Sequence, residues 1–421
     1  MDKLAIDGGM PVRKEPFPPN YLGVALYGEE EKKALMEVVD TKSPFRHYGI
    51  GKPHTVADFE AGVRAHLGCK HALAVSSGTG ALLCAMAGLG VGPGDEVILP
   101  AFGWYADFYA IALLGALPVF ADIDETLSLD PVDFQTKITA KTKAVVVVNF
   151  QGGPAHMDEI MKVARAKGIK VVEDVAQAFG GEYKGRKLGT IGDIGIASFQ
   201  QNKMLSSGEG GMVVTNDSGL FARAVRYHDL GFLRGVFADQ IEDKALCAQE
   251  TGFAGSQFRM SELQGAVMGA QLKKLGGIIA HCRKHAARFR ETFKDNKHFT
   301  VRYVDGDCGI AIFLRFRTAE ECKRFDECLA AEGVPLGAKS ACRNIMHDYP
   351  ITAKALHHPA MPPFGKGCDG AAMDYVACAK TMKADAILER CFAMSIGPLY
   401  TERDMDDIIA AVKKVDANLY P

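Results

Sequence analysis

Between residues 71 and 173 short apolar runs alternate with amphipathic stretches. The runs at 71–75, 96–99, 118–121, 143–149 and 169–173 are four to seven residues long and rich in valine, isoleucine and leucine. They read as strands, with helices expected at 78–87, 105–114 and 157–167. Such alternation predicts an α/β fold, a large mostly parallel sheet covered by helices on both faces. Upstream, helices are expected at 28–40, acidic at its start, and at 55–67, where Phe59, Val63 and Leu67 share one face. Residues 1–27, rich in proline and glycine, read as an extended arm. Downstream, helices at 220–227 and 259–275 precede a charged segment at 276–299 that links to a smaller C-terminal α+β domain. Its pattern gives strands at 310–316 and 392–396, helices at 319–331 and 401–412, and an irregular stretch at 335–370. Thr401-x-x-Asp404 resembles a capping box. The expected units are an arm at 1–27, a large domain at 28–275 and a small one at 276–421.

In sheets of this kind ligands bind beyond the carboxyl ends of the strands, and four stretches fall there. Ser76-Ser77-Gly78-Thr79-Gly80 joins a strand to a helix; its N–H groups could hold a phosphate, or the turn could be an ordinary cap. Trp104 could stack on a planar ring or fill the core. Asp174 follows Val171 and Val172, so a charged carboxylate there needs a cationic partner; the alternative is a helix cap. Ser198 and Lys203 lie between two apolar runs, ahead of a glycine cluster at 208, 210 and 211. Alone, that lysine reads equally as reactive or as a surface group in a turn. Together the four stretches match the parts of pyridoxal phosphate: a ring with a protonatable nitrogen, a phosphate, and an aldehyde that reacts with lysine.

Composition narrows the classes further. The chain has 421 residues, 48% apolar and 24% charged, with a formal net charge of −2. That balance offers no basic field for nucleic acid. No apolar run approaches the roughly 20 residues that span a bilayer, and no signal-peptide core precedes Gly9, so neither a membrane partner nor export is expected. Eleven scattered cysteines without Cys-x-x-Cys spacing fit free thiols in the cytoplasm. No Cys/His set has zinc spacing, so no metal site is expected.

The motifs SSGTGAL (76–82), GVGPGDEVILPAFGW (90–104), VVEDVAQAFGGEYKGRKLGTIGDIG (171–195), SFQQNKMLSSGEGGMVVTND (198–217) and FRMSELQGA (258–266) resemble the DegT/StrS-type aminotransferases. These are fold-type-I enzymes that aminate keto sugars and related cyclic ketones. The resemblance implies that Lys203 carries the cofactor as a Schiff base and that Asp174 bonds the pyridinium nitrogen. It implies stacking by Trp104, Gln177 beside the ring hydroxyl, and Ser77, Gly78, Thr79 and Ser198 around the phosphate. It also implies a homodimer in which Gln257, where many relatives carry asparagine, reaches the neighbouring subunit's phosphate. Asn149 and His156 stand where relatives often have histidine and aspartate, which bears on the substrate. Lys203 separates the chain from dehydrating relatives that carry histidine at that position. The expected reaction moves an amino group from glutamate or glutamine to a keto sugar or keto cyclitol. The alternatives are a dehydratase or lyase of the same family and a non-catalytic binding relative. Arg46, His47, Tyr48 and Arg343 are candidate substrate contacts, Arg46 or Arg343 meeting an anionic group.

Overall fold

Residues that alternate along the strands divide the core in two. In a computed structural model, which describes residues 2–52, 54–334, 343–344, 358–379 and 382–420, seven strands form one sheet. They are β1 (His71–Val75), β2 (Glu96–Pro100), β3 (Leu117–Ala121), β4 (Thr142–Val148), β5 (Lys170–Asp174), β6 (Ile194–Ser198) and β7 (Gly211–Thr215). Their order is β1-β7-β6-β5-β4-β2-β3. Only β7 runs antiparallel to its neighbours β1 and β6; the remaining pairings are parallel. Ala72, Ala74, Val145, Val147, Val171, Met212 and Val214 point into one core. Leu73, Val75, Val146, Val148, Val172 and Val213 point into the other. The period of two thus places apolar side chains on both faces, as a sheet covered by helices requires.

The helix Gly78–Gly88 is apolar all round, GTGALLCAMAG, and is buried from Gly80 onward, as a helix without a polar face must be. It shares its core with Phe108 and Ile111 of Tyr105–Leu113 and with Phe221 and Val225 of Ser218–His228. On the opposite face Val56, Phe59 and Val63 of Thr55–Leu67 pack with Ile278, Cys282 and Phe289 of the helix Leu275–Phe293. The helix expected over 259–275 starts only at Glu262 and stops at Leu272. Ser261 caps it, accepting the N–H of Gln264, while Arg259 is held in an antiparallel bridge with Val75. The charged segment after it contains the 19-residue helix Leu275–Phe293, whose apolar stripe is buried.

At the C-terminal end Phe299–Val301, Ala311–Phe316 and Cys391–Ser395 form an antiparallel sheet. The helices Ala319–Ala331 and Glu402–Leu419 accompany it. The capping box expected at Thr401 forms: Asp404 Oδ2 accepts the N–H of Thr401 at 2.7 Å. The N-terminal arm is not free. Glu332 accepts the N–H groups of Ala5 and Val12 and pairs with Lys414, and Arg13 pairs with Asp404 and Asp407. Further along, Gly23 donates its N–H to the carbonyl of Lys203 at 3.1 Å. The arm therefore runs from the C-terminal helices to the lysine loop.

Candidate active site

β5 delivers two adjacent carboxyls to opposite faces of the sheet. Glu173 is buried and accepts the N–H groups of Gly189, Ile191 and Gly192 at 2.9, 2.5 and 2.6 Å, which fixes the turn before β6. Asp174 is buried too, and its Oδ1 accepts the N–H of Ala176 at 2.7 Å. Residues 176–180 form a turn, so Asp174 caps no helix. Burial pushes its carboxyl up, against the opposing pull of the Ala176 N–H and the Lys203 charge.

Lys203 lies in the loop from β6 to β7, partly buried. Its N–H donates to Gln200 O at 2.9 Å, and Gly23 bonds its carbonyl. Tyr27 donates its hydroxyl to Ser206 O at 2.9 Å. The glycines around the lysine therefore do not leave the loop slack, because strand ends and the N-terminal arm tie it down. The Lys203 charge is felt at Asp174 and also at Asp107.

A small-residue cradle forms where β1 and β6 end. Ser77 Oγ accepts the N–H of Gly80 at 2.9 Å, and Ser77 O that of Ala81. Among the described residues no protein group takes the N–H of Gly78 or Thr79, at the positive end of the helix Gly78–Gly88. A Cβ on Gly78 would come within 2.7 Å of Ser198 Cβ, so only glycine lets that helix end approach Ser198 this closely.

Trp104 follows β2 and is 52% exposed, with the Tyr105 ring 5.1 Å away. Asn149 follows β4; its N–H donates to Asp174 O at 2.9 Å and its Oδ1 accepts from Ala155, while its buried Nδ2 has no partner among the described residues. Gln177 accepts the N–H of Gln151 through Oε1 at 3.2 Å, which places it beside the loop after β4. Gln257 is exposed, its backbone bridged to Asp229.

The predicted substrate contacts divide. Arg46 is corrected: its side chain is 3% exposed and its two terminal nitrogens bind both oxygens of buried Glu60, at 2.8 and 2.5 Å. It also lies 4.6 Å from the Phe237 ring. A guanidinium committed this way has no fork left for a ligand. His47 is buried near Asp229, 3.8 Å away, and burial, with Arg234 and Arg46, pushes its pKa down to about 4, so it is neutral at pH 7. Tyr48 is open to solvent. Arg343 and Asn344 pair with Gly103 and Phe102, which brings that backbone beside Trp104; the Arg343 side chain and the rest of that stretch lie outside the described residues.

Sequence reasoning missed Asp107. It sits in the first turn of Tyr105–Leu113, is 1% exposed, and burial, then the charge of Asp174, push its carboxyl up. The available signal was a lone charge in an otherwise apolar helix, YADFYAIAL, directly after Trp104.

The family model of the DegT/DnrJ/EryC1/StrS aminotransferases matches residues 27–338. The chain belongs to this family. Among its relatives are the spore coat polysaccharide biosynthesis protein SpsC of Bacillus subtilis, 32% identical over 93% of this chain and 95% of the relative, and the L-glutamine:2-deoxy-scyllo-inosose aminotransferase of Streptomyces paromomycinus, 35% identical over 85% and 83%. The crystal structure of 3-amino-5-hydroxybenzoic acid synthase superposes with a TM-score of 0.78 at 26% identity, covering 96% of this chain and all of that one. The protein is thus an aminotransferase of the fold-type-I architecture. The residues present fit that family's cofactor, pyridoxal phosphate. A buried carboxylate under a lysine's charge, two untaken N–H groups beside Ser198, and the unpartnered Asn149 amide leave needs that a phosphorylated pyridine would meet.

Proposed function

We propose that this aminotransferase uses pyridoxal phosphate to move an amino group from glutamine or glutamate to a cyclic ketone, either a keto sugar, free or nucleotide-linked, or a keto cyclitol. The observation that carries the reading is Asp174, buried at a strand end within reach of the Lys203 charge. When bound, the cofactor supplies an aldehyde that condenses with amines and an electron-withdrawing ring. Asp174 holds the proton on the ring nitrogen. The N–H groups of Gly78 and Thr79, with the hydroxyls of Ser77 and Ser198, hold the phosphate. Trp104 would stack on the ring, and Gln177 would sit near its hydroxyl. Lys203 would hold the cofactor through its Nζ, and the same amine would serve to move a proton at the substrate carbon.

The ketone class is supported by relatives named for 2-deoxy-scyllo-inosose and, at 37% identity in Escherichia coli O157:H7, for GDP-perosamine. Glutamine as donor is supported by the first of these names. We read the working form as a homodimer with shared active sites, in which exposed Gln257 reaches the partner's phosphate. The exposed apolar side chains of Tyr48, Ile50 and Phe232 support a covered surface. The eleven cysteines, scattered without Cys-x-x-Cys spacing, support a cytoplasmic location.

The test combines cofactor, donor and ketone. The purified protein should take up pyridoxal phosphate with a visible band, and borohydride reduction should fix the cofactor on the peptide holding Lys203. Glutamine or glutamate should then bleach the band and release the 2-oxo acid, and a cyclic ketone should restore it as the amine appears. Lys203→Ala should bind cofactor without covalent fixation. A wild type that takes up no cofactor sinks the proposal; loss of a ketone-substrate hydroxyl instead of amine formation would favour dehydration.

A further inference from the structure

Three successive carbonyls in the loop after β4 are taken by groups from the small C-terminal domain. Arg302, directly after the strand Phe299–Val301, donates from Nη1 to Phe150 O at 3.1 Å and from Nη2 to Gln151 O at 3.3 Å. The N–H of Cys308 donates to Gly152 O at 2.9 Å. Arg302 Nη1 also donates to Thr126 O at 3.1 Å, so one guanidinium joins the loops that follow β3 and β4. Its charge is met by Asp307 at 3.2 Å, both side chains being 5% exposed, and its Cζ lies 4.3 Å from the centroid of the Phe313 ring. A planar fork of donors can serve several fixed acceptors at once, which the single ammonium of a lysine cannot.

The backbone held in this way is strained. Gln151 has φ 47° and ψ 48°, in the left-handed region that disfavours residues with a side chain, and Gly152 follows at φ 86°. In that conformation the N–H of Gln151 donates to Gln177 Oε1 at 3.2 Å. Only the oxygen of a side-chain amide accepts a hydrogen bond, so this contact fixes which way round Gln177 stands, with the donor Nε2 on the other side. We propose that Arg302 is a positioning residue: it holds the 150–152 turn in its left-handed form and, through the Gln151 N–H, sets Gln177 as a donor to the ring hydroxyl of the cofactor. This rests on the pyridoxal phosphate reading above. A donor stabilises the ring oxygen when that oxygen is ionised, whereas an amide carbonyl would repel it. Arg302 acts only through Gln151, and Gln151 only through Gln177.

The test uses the full-length protein with and without cofactor. Arg302→Lys keeps a positive charge beside Asp307 but loses the fork. In the cofactor-free protein, hydrogen exchange at the Gln151 and Gly153 amides should be about tenfold faster in Arg302→Lys than in the wild type, the scale of one lost hydrogen bond. With pyridoxal phosphate bound, the pH midpoint at which the visible band changes should rise by about one unit in Arg302→Lys and in Gln177→Ala, the scale of one hydrogen bond to a charged group. The double variant should rise no further, because the donor is already gone. Adding Gln151→Gly to Arg302→Lys should bring the midpoint back toward wild type, since glycine takes the left-handed region freely. A role in stability alone would lower the urea midpoint of Arg302→Lys and leave the band's pH midpoint in place. Wild-type exchange in Arg302→Lys overturns the clamp; a wild-type pH midpoint, or a shift that adds to that of Gln177→Ala, overturns the orientation of Gln177. A wild type that takes up no pyridoxal phosphate overturns the cofactor reading and the Gln177 role with it, while the exchange rates still decide the clamp.

Discussion

Arg46 shows how much a single residue's burial changes its meaning. Its pair with Glu60 is closed on both sides, because Glu60 Oε1 also accepts the N–H of Ala74 in β1. Removing the guanidinium leaves an uncompensated buried carboxylate, which costs about 3–5 kcal/mol. Arg46→Ala should therefore lower the urea midpoint strongly; a loss of substrate affinity at unchanged stability would restore Arg46 as a ligand contact. Gly78 carries the opposite kind of prediction. Alanine at a helix start is ordinarily harmless, but here its Cβ would press on Ser198 at 2.7 Å. Overpacking of this kind costs about 1–3 kcal/mol. Gly78→Ala should thus weaken pyridoxal phosphate binding by about tenfold or more in a spectroscopic titration, with the fold retained.

At the scale of elements, the N-terminal arm is the segment whose role the fold changes most. An extended, proline-rich stretch loses much entropy when ordered, so its anchors must repay that loss. Glu332 is the principal one, buried, accepting two arm N–H groups and paired with Lys414. Glu332→Ala should release the arm, so that limited proteolysis cuts within residues 2–20 while the rest of the chain survives. Because Gly23 and Tyr27 bond the lysine loop, the same variant should also speed cofactor loss. Protection equal to wild type would show that the Arg13 pairs suffice. The strands and most helices were legible as elements because both periods, two and 3.6, are strongly written. Of the helix Leu275–Phe293 chiefly the charged side was legible; its apolar stripe, Ile278, Ile279, Cys282, Phe289 and Phe293, acquires meaning only against a sheet.

For the whole molecule, acid sensitivity follows from histidines buried without charge. His71, stacked 4.3 Å from Phe221, is pushed down to about 4 by burial and then by Lys70. Burial, outweighing the Val225 carbonyl, pushes His228 to about 3. The unfolded chain binds these protons near pH 6.5, before the folded one does. Their contribution is therefore complete above pH 6.5 and is lost as pH falls from there toward 4. The buried acids Asp107 and Glu173, raised by burial, titrate in the opposite sense, so single-site comparison is the clean measurement. His71→Phe should make the decline of stability between pH 6.5 and 4 shallower by one proton. An unchanged slope would mean that His71 charges in place.

The sequence by itself determined the order of strands and helices, the family, and the residues that follow each strand of the large sheet. Those features are local: a period along the chain, and small or reactive residues directly after each strand. What only the tertiary structure decided is which polar groups are free. Arg46 is spent on Glu60, His47 is neutral beside Asp229, and the Asp107 carboxyl is pushed up by burial and then by the charge of Asp174, 67 positions away. A charge's availability depends on what burial and distant partners do to it, and neither is written in its neighbours along the chain.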